Sequence, residues 1–175
     1  MSADSVCVRR ATAADGPTIA RFNIDLAAET EGIQLEPRTV ARGVQGVFDK
    51  PERGFYLVAE LDGTPAGCLL VTNEWSDWRN ADFWWIQSVF VDPRHRRRGA
   101  FRALLHQLRH EASASGDVCA LRLYVFASNE RAQAVYRECG FRETGYHILE
   151  TSGERIEDTT SPRSAPLNGG SAAPR

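Results

Sequence analysis

Lysine is almost missing from this 175-residue chain: of its 21 Lys and Arg residues, Lys50 alone is lysine. Basic chemistry therefore falls to arginine, whose forked guanidinium suits carboxylate and phosphate oxygens. A large charge of either sign is also missing. The formal net charge of −2 gives no global case for a nucleic-acid binder. The four cysteines, Cys7, Cys68, Cys119 and Cys139, form no Cys-x-x-Cys pair, which argues against a zinc site or a disulfide framework and fits buried reduced thiols. No apolar run approaches the ~20 residues that span a bilayer, and the start, MSADSVCVRR, lacks the apolar core of a signal peptide. These absences lead to the expectation of a cytoplasmic protein without a membrane segment.

What is present is concentrated between Asp82 and Leu105, DFWWIQSVFVDPRHRRRGAFRALL. The run opens with Trp, Phe, Val and Ile in the density of a strand buried on both faces. Asp92-Pro93 ends it, since proline cannot donate to a ladder and restricts its predecessor. Arg94-His95-Arg96-Arg97-Arg98 and Gly99 follow, and then Phe101, Leu104, Leu105 and Leu108 recur at helical spacing. A helix start leaves backbone N–H groups unpaired and carries partial positive charge. A glycine beside it lets an anion approach the backbone, and arginines add forked donors. The dipole alone contributes only ~0.3–1 kcal/mol, so these groups have to act together. The order of strand, basic loop, glycine and helix predicts a diphosphate cradle.

Around this centre the elements read clearly. A strand is expected at Val6–Arg10, then a turn with Asp15 as helix cap, and helices to about Glu29 and over about Arg38–Phe48. Phe55–Glu60 and Ala66–Trp75 form a hairpin across Asp62-Gly63. Val118–Phe126 is a strand, Ser128 or Asn129 caps a helix carrying Ala132, Val135, Tyr136 and Cys139 on one stripe, and Gly140 ends it. Arg142–Glu150 is read as a last strand. The domain is expected to span residues 1–150, a size that needs no staples. Residues 151–175, rich in Ser, Pro, Gly and Thr, read as a disordered tail.

Two blocks carry a family resemblance. RRRGAF at Arg96–Phe101 resembles the Arg-x-x-Gly-x-Gly/Ala signature of the GNAT N-acetyltransferase superfamily, with Phe101 where Gly or Ala is usual. LRLYVFASNERAQAVYRECGF, Leu121–Phe141, resembles that family's second block, with Asn129, Ala132, Tyr136 and Gly140-Phe141 at its spacing. The resemblance implies an α+β, acyl-CoA N-acyltransferase-like fold: a mixed, mostly antiparallel twisted sheet of about six or seven strands with helices on both faces. Strands four and five would splay apart in parallel to form the cofactor cleft. It further implies that acetyl-CoA is the co-substrate and that a primary amine attacks it directly in a ternary complex. The backbone of Val89, Phe90 and Val91 would pair with the pantetheine arm. Arg97, Gly99, Ala100 and Phe101 would hold the diphosphate through N–H groups, Arg96 and Arg98 would supply charge, and Asn129 would bond the pantetheine or order its loop. Tyr136 would protonate the leaving thiolate. The family often dimerises, so a homodimer is among the partners implied.

Gln87 stands where many members of the family carry Glu, and an amide is no base. Glu74 is the preferred substitute, acting through a water; Asp82 and Asp77 lie nearby, and ordered waters guided by Ser88 are the other route. That same Gln87 supports the competing reading of a non-catalytic acyl-CoA sensor or interaction module. Arg94–Arg98 with Trp75, Trp78, Trp84 and Trp85 admits a nucleic-acid patch, against which stands the lack of any further basic face. His106 and His110 have the i, i+4 spacing of a metal pair but no third ligand, so no metal is expected. The acceptor, small molecule or peptide or protein, has no legible motif.

Overall fold

A computed structural model of the chain describes residues 6–150; the expected tail at 151–175 lies outside the described residues. The elements are β1 (Val6–Arg10), α1 (Gly16–Glu31), α2 (Pro37–Phe48), β2 (Phe55–Leu61), β3 (Thr64–Ser76), β4 (Ala81–Val91), α3 (Ala100–Ser115), β5 (Val118–Leu123) and α4 (Glu130–Glu138). The strands make one sheet in sequence order, antiparallel from β1 to β4 and parallel between β4 and β5. This is the α+β class expected, with five strands among the described residues rather than six or seven.

The missing strand is Arg142–Glu150, which takes no ladder partner. The reason is burial. Tyr146, Ile148 and Leu149 are 76%, 67% and 93% exposed, so no face of this run meets a core that would fix its register. The other boundaries differ by a few residues. Asp62 and Gly63 adopt φ of 52° and 76°, the pair of left-handed residues that a two-residue hairpin demands. Asp15 precedes α1 but does not cap it through its side chain; its carboxylate instead takes both arms of Arg9 at 2.8 Å and the Thr12 N–H at 2.7 Å. α2 begins at Pro37 because the Glu36 carboxylate accepts the N–H groups of Arg38 and Thr39 at 2.9 and 2.6 Å.

Two cores sandwich the sheet. On one face α3 inserts Leu104, Leu105 and Leu108 against Leu57, Leu69, Val71, Trp84 and Ile86. On the other, Ile19, Phe22 and Val44 of α1 and α2 pack on Tyr56, Val58, Cys68 and Phe90. Each such buried large apolar side chain contributes roughly 1.5–3 kcal/mol. Trp84 is buried in the α3 core, whereas the indole of Trp85 lies on the opposite face and stacks on Tyr124 at 4.5 Å. The thiols divide: Cys68 is buried and pushed up to about 12, Cys139 is half-buried, and Cys7 and Cys119 are exposed, contrary to the expectation of burial for all four.

One irregularity positions everything that follows. Leu70 pairs with Ser88 but Val71 pairs with Ile86, so Gln87 is an extra residue, a β-bulge, in β4. The bulge switches the alternation. Trp84 and Ile86 face α3 before it, and Val89 and Val91 face α3 after it. The β4–β5 ladder ends at Ile86–Leu123, at the same level. Beyond it, residues 87–91 have no ladder partner on the β5 side among the described residues, and the two parallel strands part.

Candidate active site

The parting strands open a cleft of about 610 Å³ between the end of β4, the start of α3, α1 and α4. It gathers Val89, Phe90, Val91, Arg96, Arg97, Gly99, Ala100, Phe101, Asn129 and Tyr136. Those are the residues singled out in the sequence, except Arg98 and Glu74. Gly99 is at φ 90°, with open space where a side chain would begin, and it precedes α3 without any side-chain cap on that helix start. Arg97 is also left-handed, at φ 65°. Among the described residues the first N–H groups of α3 thus lack a side-chain acceptor and face a cleft, a geometry in which a helix start can receive an anion.

The arginines do different work from one another. Arg96 directs Nη1 and Nη2 at the two oxygens of Glu29 on α1, at 2.8 and 2.5 Å, and Nε at the Val91 carbonyl at 2.9 Å. It clamps the end of β4 to α1, and the pair holds the Glu29 carboxyl below its usual range. Arg94 bonds Asp92 through Nε at 3.0 Å and Nη2 at 2.7 Å, and its N–H also reaches that carboxylate. Asp92 is buried, and these hydrogen bonds lower it to about 2. Arg98 turns away from the cleft toward Asp62 and His95, at 3.3 and 3.5 Å. Arg97 remains exposed at the cleft, joined by Arg102 and Arg131, which sequence reasoning passed over. Their signal was faint: Arg102 lies in the first turn of α3, and Arg131 two residues past Asn129. Glu29 and Glu138 are the carboxylates among the lining residues, so guanidiniums outnumber them there.

Asn129 caps α4, its Oδ1 accepting the Ala132 N–H at 3.0 Å. Tyr136 sits between Phe101 and Phe141, edge-to-face at 5.9 and 5.8 Å. Burial raises its phenol, which keeps it protonated at neutral pH. Glu74 is elsewhere. It pairs with Arg122 at 3.2 Å and accepts the Trp85 indole N–H, outside the cleft lining. Gln87 donates to Thr72 Oγ1 at 2.7 Å. His106 and His110 are exposed on α3, and among the described residues no three His, Cys, Asp or Glu side chains cluster as a metal site. Trp75 and Trp78 are exposed, on the hairpin side of the sheet rather than beside the arginine loop.

A parallel-strand fork with a bare helix start at its base is a cleft suited to an extended ligand with an anionic end. The chain belongs to the acetyltransferase (GNAT) family, whose sequence model matches residues 22–141. It is 29% identical over 169 residues to phosphinothricin N-acetyltransferase of Streptomyces viridochromogenes, covering 89% of this chain and 91% of that one. Its fold is similar to that of a possible acetyltransferase from Clostridium difficile, at TM-score 0.79 and 36% identity over 83% of this chain and 96% of the other. It is also similar to an aminoglycoside N-acetyltransferase solved in complex with CoA, at TM-score 0.71, 14% identity, and 87% and 97% coverage. At that identity the last likeness is one of fold. Among the described residues no helix is long and apolar enough to cross a membrane.

Proposed function

We propose that this protein transfers the acetyl group of acetyl-CoA to a primary amine by direct attack in a ternary complex. The observation that carries the reading is the cleft itself: a bare α3 start at Gly99 at its base, the 87–91 edge of β4 that β5 leaves unpaired along one wall, and a half-buried phenol, Tyr136, on another. The residues fit an extended thioester with a diphosphate. N–H groups from Arg97 to Phe101, with Arg97, Arg102 and Arg131, meet the diphosphate. The β4 edge offers backbone groups to the amides of the pantetheine arm, as an added strand would receive them.

The chemistry then needs little beyond placement. The amine nitrogen attacks the thioester carbonyl carbon, and a backbone N–H near Val89 steadies the oxyanion. The C–N bond forms, the C–S bond breaks with its electron pair leaving on sulfur, and Tyr136 gives that sulfur a proton. The amine's proton passes to water, from which the phenol is restored. Gln87 supplies no base, and the oxygens of Glu74 already hold Arg122 and Trp85, so a base role at Glu74 runs through water. The amide at Gln87 is also what favours the second reading, an acyl-CoA sensor; the protonated phenol of Tyr136 favours catalysis.

Calorimetric titration with acetyl-CoA tests the reading. Micromolar binding is expected, and Gly99→Glu, which sets bulk and negative charge in the open space at the α3 start, should abolish it. Absence of binding at millimolar acetyl-CoA would reject the reading.

A further inference from the structure

A second cavity, of about 410 Å³, lies on the α1–α2 side of the sheet next to the first. Leu26 lines both, and β4 turns Gln87 and Ser88 to this one and Val89 to Val91 to the other. The bulge at Gln87 is the boundary between them. A thioester running along the β4 edge therefore presents its acyl end where the second cavity begins.

The walls of this cavity are mainly apolar, with Leu35, Val40, Val44 and Leu70 prominent. Two polar atoms stand out against them. Asn23 Oδ1 and Ser88 Oγ are buried, and among the described residues neither atom has a hydrogen-bond partner, while the rest of the Asn23 amide bonds the Tyr56 phenol. A buried polar atom without a protein partner is a desolvation cost that a water or a ligand entering the cavity offsets. Among the lining residues Glu31 is the one charged side chain; the Tyr56 phenol is the other titratable group besides it. Among the described residues no Arg, Lys or His lines the space.

We propose that this cavity seats the acceptor, and that the acceptor is a compact primary amine with an apolar body and no anionic group. The proposal rests on the acetyl transfer argued above and names its substrate class. A primary amine carries N–H donors for both Asn23 Oδ1 and Ser88 Oγ, while its carbon body covers the leucine and valine wall. An anionic amino acid meets no cation in the lining, and a polycationic sugar meets one carboxylate. At 410 Å³ the cavity is toward the small end of ordinary ligand pockets, ~300–1,000 Å³.

The test uses benzylamine as the compact amine, kanamycin as the polycation, glutamate as the anionic amine and a lysine-containing peptide as the macromolecular acceptor. Acetyl-CoA-dependent thiol release should favour benzylamine in kcat/KM by at least about tenfold, the scale on which an apolar pocket discriminates. Gly43 lines the cavity from α2 with open space where a side chain would start, so Gly43→Phe fills it without moving backbone. That variant should lose benzylamine turnover by about tenfold or more while its acetyl-CoA titration stays as in the parent. Ser88→Ala should weaken benzylamine binding and leave unfolding stability equal or higher, since it deletes a stranded hydroxyl. A calorimetric titration with benzylamine alone reads the cavity without any acetyl-CoA. Amine binding blocked by Gly43→Phe supports the pocket even if acetyl-CoA fails to bind, which would be the failure of the transferase reading instead. Preference for kanamycin, glutamate or the peptide, or a Gly43→Phe variant that binds and turns over benzylamine normally, overturns the proposal.

Discussion

At the level of single residues, the proton roles proposed for Tyr136 and for Glu74 can be tested apart. The phenol lies between two aromatic rings and is raised by its burial, so it stays protonated at neutral pH. Removing its hydroxyl as Tyr136→Phe leaves both ring contacts in place. We expect kcat to fall by about 100-fold, the low end of what a positioned acid contributes, with acetyl-CoA affinity unchanged by titration. An unchanged kcat removes Tyr136 from the mechanism. Glu74→Gln answers the companion question when rate is followed against pH. A loss at neutral pH that vanishes at high pH, where the amine is already neutral, supports a water-mediated base at Glu74. A rate undiminished at both makes Glu74 the organiser of Trp85 and Arg122 and nothing more.

Among the elements, the basic loop is where sequence and structure part in the most instructive way. Its existence, its glycine and the helix after it were all legible, because each is written locally as Pro93, Gly99 and a 3.6-residue apolar period. Its wiring was not. Arg96 meets Glu29 across 67 positions of chain, and no local pattern marks one arginine of four for that duty. The Gln87 bulge was equally hidden, since it arises from how β3 and β4 register against two cores rather than from any signal in FWWIQSVFV. The last strand failed for the opposite reason: GYHILE has strand-like composition but no surface to bury on. The Asp92–Arg94 pair of the loop and the Asp15–Arg9 pair ahead of α1 make the fold acid-sensitive. Asp92 and Asp15 are both lowered to about 2, Asp92 by Arg94 and Asp15 by Arg9. A carboxylate depressed in the folded state adds stability that is full above the unfolded value near ~4 and fades as pH falls through the folded one. Urea unfolding midpoints should therefore drop between about pH 4 and about 2. Asp92→Asn should be less stable at neutral pH and show a shallower acid limb. A limb as steep as the parent's would show that Asp92 does not drive it.

For the molecule as a whole, the cleft joins parts that are otherwise weakly connected. β4 and α3 belong to the sheet and its core, whereas α4 buries no residue completely and leans on the rest through Phe101, Phe141 and the bond from Arg109 to the Cys139 carbonyl. α1 reaches the same space from the other side of the sheet through Leu26 and the Glu29–Arg96 clamp. A ligand that touches all four elements binds the folded chain and not the unfolded one, so it must stabilise the fold by mass action. Acetyl-CoA at 100 times its Kd is worth ~2.7 kcal/mol, and a domain of this size gains about 2–4 °C per kcal/mol, so Tm should rise by roughly 5–10 °C. The gain should be uneven. Amide exchange in α4 should slow more than in β2 or β3, which are already fixed by two cores. Gly99→Glu should show neither the shift nor the slowing. A full Tm rise with no added protection in α4 would mean that α4 takes no part in holding acetyl-CoA, and Tyr136 would lose its place beside the sulfur.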